Sequence, residues 1–290
     1  IKLLEAFPTV YDLANAPVDK VLKLWQGLGY YSRARNLHFA AKTISRDYNG
    51  KFPDDFNELK KLKGIGDYTA AAIASFSFNK AHAVLDGNVF RVLSRYHNMD
   101  VPIDSNSGKK IFSQLANDLL DKKNPSTYNQ AIMEFGAIYC KPQAPDCFRC
   151  IFSEDCLANR LKSVNDLPVK EKKAKIKDRF FYYLVIQQKG FFLLKKRSEK
   201  DIWQGLYEFP LIEIQKKTDY KRVIKSKAFN NIISVPHKLI EVSKEYLHIL
   251  SHQRIHAYFI HIKVGSQAYS LQPFERTNAL HLNEYQQNRQ

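Results

Sequence analysis

Apolar positions recur at helical spacing through the first half of the chain. In 18–25, Val18, Val21, Leu22 and Trp25 share one side, and in 30–48 Leu37, Ala40, Ala41 and Ile44 do the same. Further helices are predicted at 56–62, 88–96, 108–120 and 125–139, joined by short connections rich in Gly, Pro, Asp and Asn. No convincing strand run occurs in this half. From Arg179 the pattern becomes β. The runs 180–186 and 191–196 are aromatic and β-branched, and they flank Gln187-Gln188-Lys189-Gly190, a hairpin signal. Strands are also expected at 237–242 and 256–264, and one helix at 216–228. The pattern predicts an all-α domain over 1–160, a charged linker over 161–178 and an α+β domain over 179–290.

Composition bounds the reading. The 290 residues are enough for two ordinary domains. Hydrophobic residues make up 44% and charged residues 26%, a globular balance that argues against wholesale disorder. The longest apolar stretches, at 70–76 and 180–186, are far short of a membrane span. The opening Ile1-Lys2-Leu3-Leu4-Glu5-Ala6-Phe7-Pro8 lacks the apolar region of a signal peptide. It also lacks a helix cap, so the chain is expected to enter an amphipathic helix midway and to be a fragment. Net charge is +16, of which only +4 falls in 1–160, against +4 in 161–180 and +8 in 181–290. Such an excess suggests a polyanionic partner, nucleic acid ahead of acidic lipid.

Four cysteines, Cys140, Cys147, Cys150 and Cys156, are the only ones in the chain, spaced C-x6-C-x2-C-x5-C. Four clustered thiolates can complete a tetrahedral metal shell, and both zinc and an iron–sulfur cluster accept that donor set. Two local disulfides are the alternative, disfavoured in a reducing compartment.

Two stretches in the helical half carry candidate chemistry. In Leu62-Lys63-Gly64-Ile65-Gly66-Asp67-Tyr68-Thr69-Ala70, two glycines separate a short helix from an Ala-rich one. Glycines admit an anion close to the backbone, and amides at a helix start point toward it. An ordinary tight turn explains Gly64-Ile65-Gly66 equally well. In Leu85-Asp86-Gly87-Asn88-Val89, a carboxylate precedes a helix, either as an N-cap or as a catalytic group kept ionised by the helix dipole.

Together these parts resemble the helix–hairpin–helix DNA glycosylases, specifically the adenine DNA glycosylases of the MutY type. The resemblance rests on Trp25-Gln26-Gly27-Leu28-Gly29-Tyr30-Tyr31-Ser32-Arg33-Ala34-Arg35-Asn36-Leu37, the Gly64-Ile65-Gly66 hairpin, Asp86-Gly87-Asn88-Val89 and the cysteine spacing. In the second domain, Trp203-Gln204-Gly205-Leu206-Tyr207-Glu208-Phe209-Pro210 and Leu250-Ser251-His252 resemble a Nudix-like 8-oxoguanine recognition domain. The implied fold is multidomain: an all-α helix–hairpin–helix glycosylase domain with a [4Fe–4S] loop at 140–156, then an α+β Nudix-like domain.

The family's roles then fall on particular residues. Adenine opposite 8-oxoguanine is extruded from double-stranded DNA and its N-glycosidic bond hydrolysed. Asp86 aligns with the carboxylate that faces the oxocarbenium-like sugar. Tyr68 and Asn88 align with residues that assist in the pocket. Tyr30 aligns with an aromatic wedge beside the oxidised guanine, the alternative being core packing, for which Tyr31 is the more obvious candidate. Gly64, Ile65 and Gly66 would contact phosphate. Ser251 and His252 would touch the lesion, or else form a solvated connection. Cys140, Cys147, Cys150 and Cys156 would ligate the [4Fe–4S] cluster. Endonuclease III relatives place a lysine where Tyr68 stands, and Tyr cannot form a Schiff base, so a monofunctional glycosylase is expected.

The family's general-acid Glu matches no position in 1–290. Glu134 lies in a different helix and has its own counterpart, so 1–290 alone is expected to be nearly inactive. The segment 216–228 offers Asp219 but no Glu, whereas a Nudix hydrolase needs a Glu-rich helix for Mg²⁺. The second domain is therefore expected to recognise and not to hydrolyse. The alternatives are an endonuclease III-like glycosylase/lyase and a non-catalytic iron–sulfur DNA-binding protein. The protein is expected to be monomeric and cytoplasmic, with no membrane partner.

Overall fold

The computed structural model describes residues 2–171, 176–265 and 275–278. Along the chain run α1 (Lys2–Ala6), α2 (Val10–Asn15), α3 (Val18–Leu24), α4 (Tyr31–Asp47), α5 (Phe56–Lys61), α6 (Asp67–Phe78), α7 (Gly87–Tyr96), α8 (Asn106–Leu119), α9 (Pro125–Ile138) and α10 (Leu157–Arg160). The second half holds β1 (Lys177–Gln188), β2 (Phe191–Lys196), β3 (Tyr207–Glu208), β4 (Leu211–Ile214), α11 (Tyr220–Val223), α12 (Lys227–Ile232), β5 (His237–Val242), β6 (Tyr246–Ile249), β7 (Gln253–Val264) and β8 (Glu275–Asn278). Two compact units result. One is the continuous stretch Phe39–Lys173, and the other joins Ile1–His38 to Ala174–Gln290. The first boundary falls inside α4.

In the continuous unit, Val89 and Leu93 of α7 pack with Ile103 and with Phe112 and Ala116 of α8. The buried face of α6 is Ala70, Ala71, Ala74 and Ser75, small side chains that let neighbouring backbone come close. Asn129 of α9 is buried there and fully used. Its amide donates to Ser75 Oγ (2.8 Å) and to the His82 carbonyl (2.9 Å), while its carbonyl accepts from Val84 N (3.0 Å). That residue fixes the extended segment leading into α7. Residues after α10 stay packed on this unit. Leu167 is buried and its carbonyl accepts from Arg95 Nε (3.0 Å), and the Val169 carbonyl accepts from Ile103 N (3.0 Å). The charged run of the expected linker falls largely on 172–175, outside the described residues.

The other unit is built on an eight-stranded mixed sheet with central order β3-β2-β1-β7-β5. β1 and β7 pair in parallel from Lys177↔Gln253 to Gln187↔Lys263. Four consecutive residues of β1, Phe181–Leu184, are buried, as expected of a strand covered on both faces. On one side, Tyr182, Leu184, Ile260 and Ile262 pack with Val223 and Phe229 from α11 and α12. On the other, Phe181, Tyr183, Leu194, Phe209 and Ile255 pack with Trp203 and Phe259. Phe7, Val21, Leu22, Tyr31 and Ala34 from the N-terminal segment close over Trp203 and Leu206. Arg35 Nη1 donates to the Gln204 carbonyl (2.6 Å) and Lys196 pairs with Asp19 (2.7 Å).

One expectation needs correction. The single helix expected over 216–228 is two short helices. Ser226 Oγ accepts from Phe229 N (3.2 Å) and so caps a fresh helix start at Lys227, after α11 has closed at Ile224.

Candidate active site

The hairpin is as the glycines require. α5 ends at Lys61, Gly64 takes a positive φ of 86°, and Ile65 N donates to the Leu62 carbonyl (3.1 Å). Gly66 is the N-cap of α6 and contributes no side chain to its amides. Gly64 and Gly66 are exposed and Ile65 is half-buried. Tyr68, in the first turn of α6, is 45% exposed, so its phenol is open to a ligand and is not core.

Asp86 is both a cap and a presented carboxylate. Its Oδ1 accepts from Asn88 N and Val89 N, each at 2.8 Å, and its Oδ2 accepts from Asn88 Nδ2 (2.9 Å). Two backbone amides at the start of α7 and the Asn88 side chain fix the orientation of the carboxylate. The structure shows the N-cap reading directly, and the cap also fixes where the carboxylate points. Asn88 is the link to the next layer. Its carbonyl accepts from Arg91 Nη2 (2.9 Å), and the same nitrogen donates to the Gly136 carbonyl (2.6 Å). Arg91 Nε donates to the Cys140 carbonyl (2.7 Å). Gly136 must be glycine here, since a Cβ would stand 2.7 Å from Asn88 Cβ.

Arg91 and Arg95 were not singled out in the sequence. They sit one turn apart on α7, in a run 91–95 that is buried all the way round. Their i, i+4 spacing puts them on one side of the helix, opposite Val89 and Leu93, and that spacing is the one local signal for them. Burial pulls the Arg91 guanidinium below its usual range. Arg95 holds the start of the cysteine loop, donating to the carbonyls of Lys141 (2.8 Å) and Pro142 (3.2 Å) and, at 3.5 Å, to Cys140 Sγ.

All four cysteines are free and half-buried, which sets aside the disulfide alternative. They line one cavity of about 420 Å³, together with Tyr96, Phe135 and Phe152. Burial and the three neighbouring cysteines push the Cys147 thiol up, the expected response of a thiolate facing like charge. Among the described residues, no three His, Cys, Asp or Glu side chains are placed to hold a single metal ion. Four thiols around a shared cavity fit a larger thiolate-ligated group.

The remaining candidates lie in the sheet-containing unit. In the turn between α3 and α4, Gly27, Gly29 and Tyr30 all take positive φ, at 86°, 65° and 47°. Trp25 Nε1 braces that turn by donating to the Gly29 carbonyl (3.0 Å). Tyr30 is thereby turned out, 68% exposed, while Tyr31 is 5% exposed and joins the core. Arg33 lies over the Tyr30 ring at 5.4 Å. Ser251 and His252 are exposed in the β6–β7 turn, with Ser251 Oγ 3.2 Å from His252 Nδ1.

Residues 1–117 match the model of the HhH-GPD superfamily base excision DNA repair proteins, and 181–286 match the NUDIX domain. A thermostable thymine-DNA glycosylase superposes with a TM-score of 0.52 at 28% identity, over 55% of this chain and 74% of its own. A trapped endonuclease III–DNA covalent intermediate gives 0.50 at 26%, over 56% and 74%. These place the helical half among the DNA glycosylases of base-excision repair. The adenine DNA glycosylase of Buchnera aphidicola subsp. Baizongia pistaciae is 35% identical over 254 residues, which is 87% of this chain and 69% of that protein. That of Arabidopsis thaliana is 34% identical over 298 residues, 88% and 47%. The chain belongs to the adenine DNA glycosylases.

Proposed function

We propose that the chain serves a monofunctional glycosylase that removes adenine paired with 8-oxoguanine or guanine. The observation that carries the reading is Asp86, whose carboxylate is fixed at the start of α7 by two amides and the Asn88 side chain. In the reaction the C1′–N9 bond breaks and its electron pair leaves with the base, so positive charge grows on the sugar. The Asp86 carboxylate stabilises that charge, water adds at C1′ and loses a proton, and the products are free adenine and an abasic site. Proton donation to the base is assigned to no residue of 1–290. Release is therefore expected from a chain that also carries residues upstream of Ile1, and not from 1–290. Tyr68, with no amine, supports hydrolysis without strand cleavage. Borohydride trapping of a covalent enzyme–DNA adduct through any amine of the chain would sink that part.

Tyr30 is proposed as the wedge beside the lesion, Ser251 and His252 as its contacts, and Gly64–Gly66 as a phosphate cradle. The four cysteines are proposed to ligate a [4Fe–4S] cluster in a reducing, cytoplasmic setting, where the bound group would cross-link the 140–156 loop. Adenine release from A:8-oxoguanine duplexes, measured for 1–290 and for an N-terminally extended chain, tests the activity. Absence of release by both would overturn it in favour of a non-catalytic DNA-binding protein. Iron and acid-labile sulfide in the purified protein are expected, and zinc in their place would overturn the cluster.

A further inference from the structure

Between β4 and α12 the chain concentrates cations in a way no other described segment does. Lys216, Lys217, Lys221, Arg222, Lys225 and Lys227 lie within twelve residues, against the one carboxylate of Asp219. All six are exposed. The helices turn their apolar side inward, where Val223 and Phe229 are buried and Tyr220, Ile224 and Ile232 pack on the sheet core. The cations are what remains outside. Asp219 is committed to capping α11 through Lys221 N (2.7 Å), and only Lys217 is ion-paired, to Glu245 (2.8 Å). Among the described residues, the other five have no acidic partner. Several cations elsewhere on the surface are matched, at Lys60–Asp67, Lys61–Glu58, Lys80–Asp54 and Arg254–Asp178.

We propose that this α11–α12 face binds the phosphate backbone of duplex DNA, without reading sequence. Two observations choose the partner. The segment presents no large exposed apolar side chain, whereas a protein partner's stable interface is centred on buried aromatic or aliphatic anchors. A phosphate backbone requires only closely spaced cations, because counterion release supplies the driving force. The same segment lacks the glutamates that a Nudix hydrolase uses to hold Mg²⁺, so Asp219 is the one carboxylate there to oppose phosphate. The proposal rests on the chain being a DNA glycosylase, and it extends that reading to a second surface.

The test is fluorescence-anisotropy titration of the full 290-residue chain against a matched 30-base-pair duplex at several salt concentrations. The probe carries no lesion, so the result does not depend on adenine or 8-oxoguanine recognition. The variant replaces Lys216, Lys221, Arg222, Lys225 and Lys227 with Gln. Loss of about three phosphate contacts is expected to flatten the slope of log K against log salt by about 2.7. The affinity is expected to fall at least tenfold at 0.15 M salt. A second variant, with the four lysines changed to Arg, keeps the charge and is expected to bind as the parent does. An unchanged slope and affinity in a Gln variant with the parental thermal midpoint would overturn the proposal. So would loss of binding to polyglutamate with DNA binding intact. A parent that binds matched duplex but shows no preference for A:8-oxoguanine would count against the functional reading and leave this surface standing.

Discussion

Arg91→Met separates the arrangement around Asp86 from ordinary helix packing. Methionine keeps most of the apolar stem and removes the guanidinium. Three acceptors then lose a charged donor: Asn88 Oδ1 at 2.9 Å, the Gly136 carbonyl at 2.6 Å and the Cys140 carbonyl at 2.7 Å. Each unsatisfied buried acceptor costs about 1–3 kcal/mol, and the residue is 8% exposed, so water reaches the gap poorly. Allowing for partial rehydration and for non-additivity among neighbours, the expected loss is about 3–5 kcal/mol. With an m-value of about 2 kcal/mol/M, the urea midpoint of the helical unit should fall by about 2 M. Arg91→Lys retains the charge, but a single ammonium cannot serve three divergent acceptors, and it should lie between the two. The assay is equilibrium urea unfolding followed by circular dichroism. A shift below about 0.5 kcal/mol for Arg91→Met would refute the claim that this guanidinium ties α7, α9 and the cysteine loop together.

Three further outcomes follow from the geometry. Asp86→Asn should leave stability within about 1 kcal/mol, because Asn caps helices as well as Asp. It should nonetheless abolish adenine release in an N-terminally extended chain, so equal losses of folding and activity would contradict the catalytic assignment. Gly136→Ala should cost about 1–3 kcal/mol by forcing the Asn88 backbone aside, read as a lowered thermal midpoint. In the sheet unit, Glu245 takes hydrogen bonds from His256, Lys217 and Tyr258, which hold its carboxyl down at about 2. Its folded value lies below the unfolded one, so its stabilising contribution is complete above about pH 4.5 and is lost as pH falls toward 2. His256 has the opposite sign. The two carboxylates flanking it, Glu245 and Asp178, outweigh burial and raise its value, so that contribution is present at low pH and is lost as pH rises through the raised value. Urea unfolding of Glu245→Gln between pH 2 and 8 should show a flatter acid limb than the parent, and an identical limb would refute the assignment.

Helix and strand identity was legible because each half keeps one hydrophobic period. The hairpin and the Asp86 cap were legible because glycine and a capping carboxylate act locally. What stayed hidden is long-range. Arg91 looks like any helix arginine until Gly136 and Cys140, 45 and 49 residues away, supply its acceptors. The break at Ser226 was missed because 216–228 has helical composition throughout, and a single hydroxyl restarts the helix. Tyr30 and Tyr31 are chemically identical, and only the left-handed backbone at residue 30 turns one outward and the other inward.

The sheet unit is discontinuous in sequence, and that sets the order in which a growing chain can fold. Residues 39–173 form one compact unit, and its chain is complete once Lys173 has emerged from the ribosome. The first 38 residues do not, because Phe7, Val21 and Leu22 close over Trp203 and Leu206, which are made some 180 residues later. The central β1–β7 pair likewise waits until Val264 has been made. Synthesis therefore completes 39–173 while the apolar side chains of 1–38 still await their cover, and these are open to proteases and chaperones during that interval.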